Sequence, residues 1–523
     1  MAEKKSIIPK TIRANIVKTA GIAAIKPRDP DEIFDELFRD IQTTEIFNDN
    51  KIFIDLIPKK SPLLIMRAYR QERKRPNFNL ADFVDRNFRH PKKQRQPVQT
   101  EPNNDATNYI AELWQELTIT NRRNRGSLLA LPYEYVVPGG RFQEQFYWDT
   151  YFIMLGLAHE KQWSLIEGMI KNYTYMIRRF GFIPTANRSY FLSRSQPPFF
   201  SHMIELLTKH RGQYTIVEYL PYLLRERQFW MRGQSTLKNE FSATRRVVRL
   251  EDKILLNRYF DNRSSPRPDT YIQDTSRAAT TPEDYHNTMY LHLRAAAESG
   301  WDFSSRWFKD PQDINTIHTT DIVPIDLNCL LYHLESMITS AYRLIKQERL
   351  AKTYETAARR RAVAIEQYCW DEQRQFYYDY DFVKREKTSS DTLAAIFPLY
   401  VGIASKQQAA AVAHKLEKDF LKPGGLVTTL VDNDQQWDSP NGWAPMQHVA
   451  IKGLERYGYT ELAAAVRERW LSTNQLVFDT HHKFIEKYDV ITPGTLGGGG
   501  EYELQDGFGW TNGVFEILSS DDI

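Results

Sequence analysis

Apolar side chains recurring at intervals of three and four residues limit how this chain can fold more than any other feature. Leu165, Ile166, Met169, Ile170, Tyr173, Met176, Ile177 and Phe180 keep that spacing until Gly181 stops it, which is the pattern of one amphipathic helix. Ser405 with Gln408 three residues on has the form of a capping box. Ala409, Val412, Leu416 and Phe420 continue its apolar face until Pro423-Gly424-Gly425 ends it, and Leu462, Val466, Trp470 and Val477 make another face. Similar stretches lie near residues 201–207, 216–231, 328–345, 351–370, 392–401, 446–457 and 509–518. About a dozen helices joined by turns predict an all-α globule of stacked helical hairpins. No fixed sequence period of the solenoid kind is visible, so the array is expected to be closed. With 523 residues the chain can hide more than about three-quarters of its surface, enough for a large core.

The first hundred residues read differently, and we divide the chain into an N-terminal extension, 1–105, and a helical domain, 106–523. Residues 31–41 read as a short helix and 52–57 as a strand or extended segment. Basic residues then gather at Arg67, Arg70, Arg73, Lys74, Arg75, Arg89, Lys92, Lys93 and Arg95, and the polar, Pro-containing stretch 91–107 reads as a loop. Without an aromatic ladder for base stacking, this basic stretch is expected to be a solvated face packed on the domain. Lys+Arg 69 against Asp+Glu 66 leaves a net charge of +3, too little for a global pull toward nucleic acid or anionic lipid. No apolar run approaches the ~20 residues of a membrane span. The apolar stretch 19–25 is too short and too Ala/Gly-rich for a signal segment, so a cytosolic location is the default expectation, and a monomer with it. Cys329 and Cys369 form neither a disulfide framework nor a metal spacing; one bridge between them stays open, and free thiols are the expectation.

The links between helices concentrate Trp, Gly and carboxylates in three places, which marks them as candidate site walls. They are Pro138-Gly139-Gly140-Arg141-Phe142 leading to Tyr147-Trp148-Asp149, then Gln436-Trp437-Asp438-Ser439-Pro440-Asn441-Gly442-Trp443, and the run Gly497 to Gly500 with Glu501-Tyr502 and Gly507-Phe508-Gly509-Trp510. No phosphate loop, dinucleotide fingerprint, zinc-protease motif or nucleophile elbow occurs. The four-glycine run lacks a following Lys and reads as backbone that approaches something closely. Aromatic rings, Arg and carboxylates remain, the set a carbohydrate site needs: rings for C–H faces, charged groups for hydroxyls and two carboxyl groups for cleavage.

Together these strings resemble the trehalases, the inverting α,α-trehalose glucohydrolases, across most of the chain. The first two match the family's two signatures, 497–514 its C-terminal stretch, and 37–59 with Asp49-Asn50-Lys51 the way it begins. The resemblance implies an (α/α)6 barrel, a disaccharide substrate and no metal or other cofactor. It implies Asp302 as general acid, with a pKa raised by burial or a neighbouring carboxylate, and Glu486 as general base. Read alone, Glu486 is a solvated residue in a Lys-rich loop. Arg141, Trp148, Asp149, Arg194, Ser195, Gln196, Arg267, Gly300 and Glu501 carry over as sugar-binding positions. Thr185 stands where the family usually has Asn, and Asp269 where it usually has Glu, so both belong to the site in altered form. The rival readings are an (α/α)6 glycosidase for another glucoside and a catalytically silent sugar-binding protein.

Overall fold

The computed structural model describes residues 27–91 and 105–520. The basic N-terminus, the stretch 19–25, most of the expected loop at 91–107, and Lys92, Lys93 and Arg95 lie outside the described residues. Six helices form a closed inner ring: Tyr147–His159, Phe200–Arg211, Ile325–Leu344, Phe397–Val401, Ala444–Arg456 and Gly509–Ser519. Each packs on the next, and the last returns to the first. The outer helices alternate with them in sequence, each preceding an inner one: Ala106–Leu117, Trp163–Phe180, Thr215–Trp230, Glu348–Cys369, Lys406–Lys415 and Thr460–His481. The fold is the expected (α/α)6 barrel.

Inner and outer helices differ as their surroundings require. The inner helix Tyr147–His159 is buried over every residue from Tyr147 to Leu157, so it has no polar face. The outer helix Trp163–Phe180 buries Ile166, Met169, Ile170, Tyr173, Met176 and Ile177 and ends at Gly181, whose φ of 85° only glycine adopts freely. The Ser405–Gln408 capping box is present in both directions, and a π-helical turn, Leu416–Phe420, follows the helix it opens.

Two additions flank the double ring. Between Trp230 and Ile325 the chain forms a three-stranded antiparallel sheet with Val247 opposite Asn257 and Thr244 opposite Val247, and then the helices Tyr271–Ala278 and His286–Ser299. The N-terminal layer has helices Pro30–Thr43, Asn50–Asp55, Pro62–Glu72 and Leu80–Asn87, whose Phe34, Leu37, Phe38, Phe53 and Phe83 form one apolar cluster with Phe146, Tyr190 and Phe191 of the barrel. The extended segment expected at 52–57 is instead the helix Asn50–Asp55. Asp49 caps it by accepting from the Lys51 N–H at 2.8 Å, a local signal stronger than the apolar run Ile52-Phe53-Ile54. Arg70 and Arg73 pair with Glu36, and Arg86 with Glu72, so acids of the same layer neutralise much of this basic face. Cys329 and Cys369 are free and buried. Among the described residues no helix is long and apolar enough to cross a membrane.

Candidate active site

The segments that lead from outer helices into the inner ring meet at one end of the barrel and enclose a cleft of about 730 Å³, mouth included. That size suits a ligand of sugar or drug dimensions. Arg141, Trp148, Asp149, Thr185, Arg194, Gln196, Arg267, Asp269, Gly300, Asp302, Glu486 and Glu501 all line it. Ser195, of the expected set, does not: its hydroxyl donates to the Ile183 carbonyl at 2.6 Å and its N–H to the buried Glu298 at 2.7 Å. Glu298 also accepts from Phe260 N–H and the Arg246 guanidinium, tying three segments together behind the wall. Trp148 and Asp149, read from sequence as the end of a loop, stand on the first turn of the inner helix Tyr147–His159.

Local structure explains why these side chains face inward. Gly300 ends the helix His286–Ser299 with φ 75°, and a Cβ there would come within 2.8 Å of the Trp148 indole, so the chain can turn into the cleft only through glycine. Asp302 follows two residues later. Gln436 donates to the Asp302 carbonyl, Trp437 N–H to the Phe303 carbonyl at 3.1 Å, and Asp438 accepts from Ser304, Ser305 and Thr429 hydroxyls. The 436–443 string therefore fixes the loop that presents Asp302. Its Trp437 stacks on Trp443 with ring centres 4.0 Å apart and on Trp301 at 5.2 Å.

The charges in the cleft are arranged unevenly. Arg267 is gripped by Asp274 and reaches Glu501 at 3.1 Å and Asp302 at 4.0 Å. Asp49 holds Arg141 through two hydrogen bonds of 2.7 and 2.6 Å. Thr185 donates its hydroxyl to the Ser195 carbonyl at 2.8 Å. Asp149 Oδ2, Arg194 Nε and Nη1, Asp269 Oδ1 and Glu486 Oε2 are buried with no hydrogen-bond partner among the described residues. Buried polar atoms are costly when unpaired, so these are the atoms a polyhydroxylated ligand would satisfy.

Burial pushes the Asp302 carboxyl up to about 7, with the Glu501 charge adding to the rise and Arg267 opposing it. The side chain still shows 34 % of its surface to the cleft, and a bound ligand would cover it further. Burial raises Asp149 to about 8, helped by Glu486 and Asp302. Glu486 is also raised by burial, against the opposing pull of Lys487, Tyr502 and Arg141. Asp269 is held below the usual carboxylate range, because Arg194, Arg267 and Arg141 outweigh its desolvation. Tyr502 donates to Glu486 Oε1 at 2.8 Å. Sequence reasoning missed Lys51 as a lining residue; its burial beside Glu144 depends on the N-terminal layer docking on the barrel. It also missed the burial of Glu486, which is 1 % exposed. Among the described residues no group of His, Cys, Asp and Glu is placed to hold a metal ion.

A family model described as Trehalase matches residues 45–519. A periplasmic trehalase of Escherichia coli O45:K1 (strain S88 / ExPEC) is 44 % identical over 517 residues, covering 98 % of this chain and 91 % of its own. A periplasmic trehalase of Shigella flexneri matches to the same extent. Among solved structures, the neutral trehalase of Saccharomyces cerevisiae superposes with a TM-score of 0.59 and 27 % identity, over 74 % of this chain and 73 % of that one. A mannosylglycerate hydrolase from Thermus thermophilus, solved with glucose, shares the fold at TM-score 0.54 and 18 % identity, over 80 % of this chain and all of its own. The periplasmic relatives overturn the cytosolic expectation, which rested only on the absence of a signal-like stretch. The expected strings thus sit around one cleft in an (α/α)6 barrel, and the chain belongs to the trehalase family.

Proposed function

We propose that this protein is a periplasmic glycosidase that hydrolyses α,α-trehalose to two glucose molecules with inversion, using Asp302 as general acid and Glu486 as general base. The observation that carries this reading is a pair of carboxyl groups that face one cleft beside different partners, Arg267 and Glu501 at Asp302, Tyr502 and Lys487 at Glu486. Asp302, raised to about 7, keeps its proton near neutrality and can give it to the glycosidic oxygen. Glu486 has one oxygen held by Tyr502 and the other, Oε2, free to take a proton from water. As that water attacks the anomeric carbon and the C–O bond breaks, Glu486 gains the water's proton and Asp302 loses its own. One glucose leaves as the β-anomer and the other as the α-anomer. Arg141, Arg194, Arg267, Asp149, Asp269, Gln196 and Glu501 hold sugar hydroxyls, while Trp148, Trp437 and Trp443 pack around them.

One observation supports a second reading, a preference for another glucoside. The Thr185 hydroxyl spends its proton on the Ser195 carbonyl, and Asp269 stops 3.9 Å short of Arg194. That wall lacks the amide donors an Asn would bring, and its carboxylate reaches one methylene less far than a Glu would. Proton NMR of the anomeric region during early incubation with α,α-trehalose tests the main reading. Equal early β- and α-glucose signals, absent from Asp302→Ala and Glu486→Ala, are expected. No glucose from the wild-type enzyme would refute it and send the test to a panel of glucosides. Osmotic-shock fractionation tests the location: activity released with the periplasmic fraction is expected, and activity retained in the cytosol would overturn it.

A further inference from the structure

Lys487 follows Glu486 in a segment whose lysines suggest a solvent-exposed loop, yet its side chain is fully buried. Its ammonium donates to Gln436 Oε1 at 2.9 Å and lies 3.6 Å from Glu486 Oε2. The Trp443 and Tyr502 rings are each 5.4 Å away, close enough for cation–π attraction. Gln436 in turn donates its amide to the Asp302 carbonyl. A continuous path, Glu486 to Lys487 to Gln436 to the Asp302 backbone, therefore joins the two carboxyl groups. The four-glycine run closes over it. A Cβ at Gly497 would come within 2.5 Å of the Lys487 carbonyl, and one at Gly500, where φ is 94°, within 2.8 Å of Gln436 Oε1. The close backbone approach expected of that run is thus to Lys487 and Gln436.

We propose that Lys487 is a positioning residue for hydrolysis: its buried ammonium favours the ionised form of Glu486 and, through Gln436, fixes the loop that presents Asp302. This rests on the reaction assigned above. At 3.6 Å the ammonium is beyond hydrogen-bond distance from Oε2 but well within Coulomb range. It therefore favours the carboxylate without occupying the lone pair that must accept the proton of water. Tyr502, in contrast, binds the other oxygen directly. Among the described residues Arg141 from the 138–146 link and Asp149 from the first turn of the inner helix also act on Glu486, and they oppose each other. Lys487 is the cation added from Glu486's own segment. A buried ammonium is costly unless it is paired and bonded, and the carboxylate, the amide oxygen and the two rings supply that compensation.

The test is the pH dependence of kcat/KM on α,α-trehalose, measured on the full chain. Lys487→Gln removes the charge and keeps an amide donor toward Gln436; Lys487→Met removes both; Gln436→Met keeps the charge and breaks the path. Without the ammonium the carboxylate is harder to ionise, so Glu486 titrates higher and the acid limb moves up by about one pH unit in both Lys487 variants. In Gln436→Met, kcat falls about tenfold at every pH and the acid limb stays in place, because the charge remains. If the apolar Lys487 variant does not fold, the glutamine variant carries the test. An acid limb that does not move in a folded, active Lys487 variant, with the rate lowered evenly across pH, would overturn the inference. Wild-type enzyme inactive on trehalose, or Glu486→Gln fully active, would instead bring down the reaction assignment, and this inference with it.

Discussion

The loop carrying Asp302 is held by its backbone and leaves the carboxyl facing Arg267 at 4.0 Å, while the loop carrying Glu486 leaves its carboxylate gripped by a side chain at 2.8 Å. Gln436, Trp437 and Asp438 hold the Asp302 loop through main-chain atoms and the hydroxyls of Ser304 and Ser305. Glu486 receives Tyr502 on one oxygen and has the Lys487 ammonium beside the other. Desolvation raises both groups and cations oppose the rise at both, Arg267 and Arg194 at Asp302, Lys487 and Arg141 at Glu486, but Asp302 also has the Glu501 carboxylate adding to its rise. An acid has to keep its proton until the leaving oxygen takes it, and a base has to stay ionised with one lone pair directed at water. With burial and cations common to both, the Glu501 carboxylate beside Asp302 and the Tyr502 hydroxyl and Lys487 ammonium beside Glu486 are what set the two environments apart.

The largest effect expected from breaking this comparison is loss of turnover. Asp302→Asn and Glu486→Gln should each lower kcat on α,α-trehalose by about 10²–10⁴-fold. They should part on α-glucosyl fluoride, whose departing fluoride needs no proton. There Asp302→Asn regains much of its rate and Glu486→Gln does not. Initial rates on both substrates check this, and equal recovery by the two variants would count against distinct roles.

Gly300→Ala strikes the geometry that delivers Asp302. A non-glycine residue at φ 75° with its Cβ 2.8 Å from the Trp148 indole costs about 1–3 kcal/mol, read as a lowered urea midpoint with unchanged m. A smaller effect is expected at the N-terminal layer. Asp49→Asn removes the charge that grips Arg141, so the guanidinium loses its fixed direction in the cleft. KM should rise about tenfold with kcat within about twofold, the mark of lost binding common to ground and transition states. A fall in kcat with KM unchanged would place Arg141 in the chemical step instead.

What the sequence made legible follows the same division between exposed and enclosed structure. The outer helix Trp163–Phe180 shows its period because one face is wet, and the 405–408 capping box because its partners are local. The inner helix Tyr147–His159 is buried on every side from Tyr147 to Leu157, so periodicity has little to contrast and its first turn read as loop. Likewise the string Lys483-Phe484-Ile485-Glu486-Lys487 has the composition of a solvated loop. Its burial comes from Tyr502, Trp443 and the 497–500 backbone, all distant partners that no local pattern reports. The aromatic and carboxylate strings were legible as site walls because large rings in links between helices have few other uses. Their assignment to acid and base came from family resemblance, since a pKa depends on neighbours brought together only by the fold.

The smallest expected effect is a shift of one pH limb, and it separates the two carboxyl environments. Glu501 accepts from Arg267 at 3.1 Å and pairs with Arg277, and its negative charge helps keep the Asp302 proton on. In Glu501→Gln that charge is gone, and Arg267, left with Asp274 but without its second carboxylate partner, favours the Asp302 carboxylate more strongly. Both changes lower the pKa of Asp302 from about 7, so the protonated acid is lost at lower pH. The alkaline limb of kcat/KM should therefore move down by about half a pH unit, while the acid limb, set by Glu486, stays where it was. The Lys487 variants should narrow the same profile from the opposite side. If Glu501→Gln moved both limbs together, the two carboxyl groups would be titrating as one coupled pair, and the separation of acid from base by their neighbours would fail.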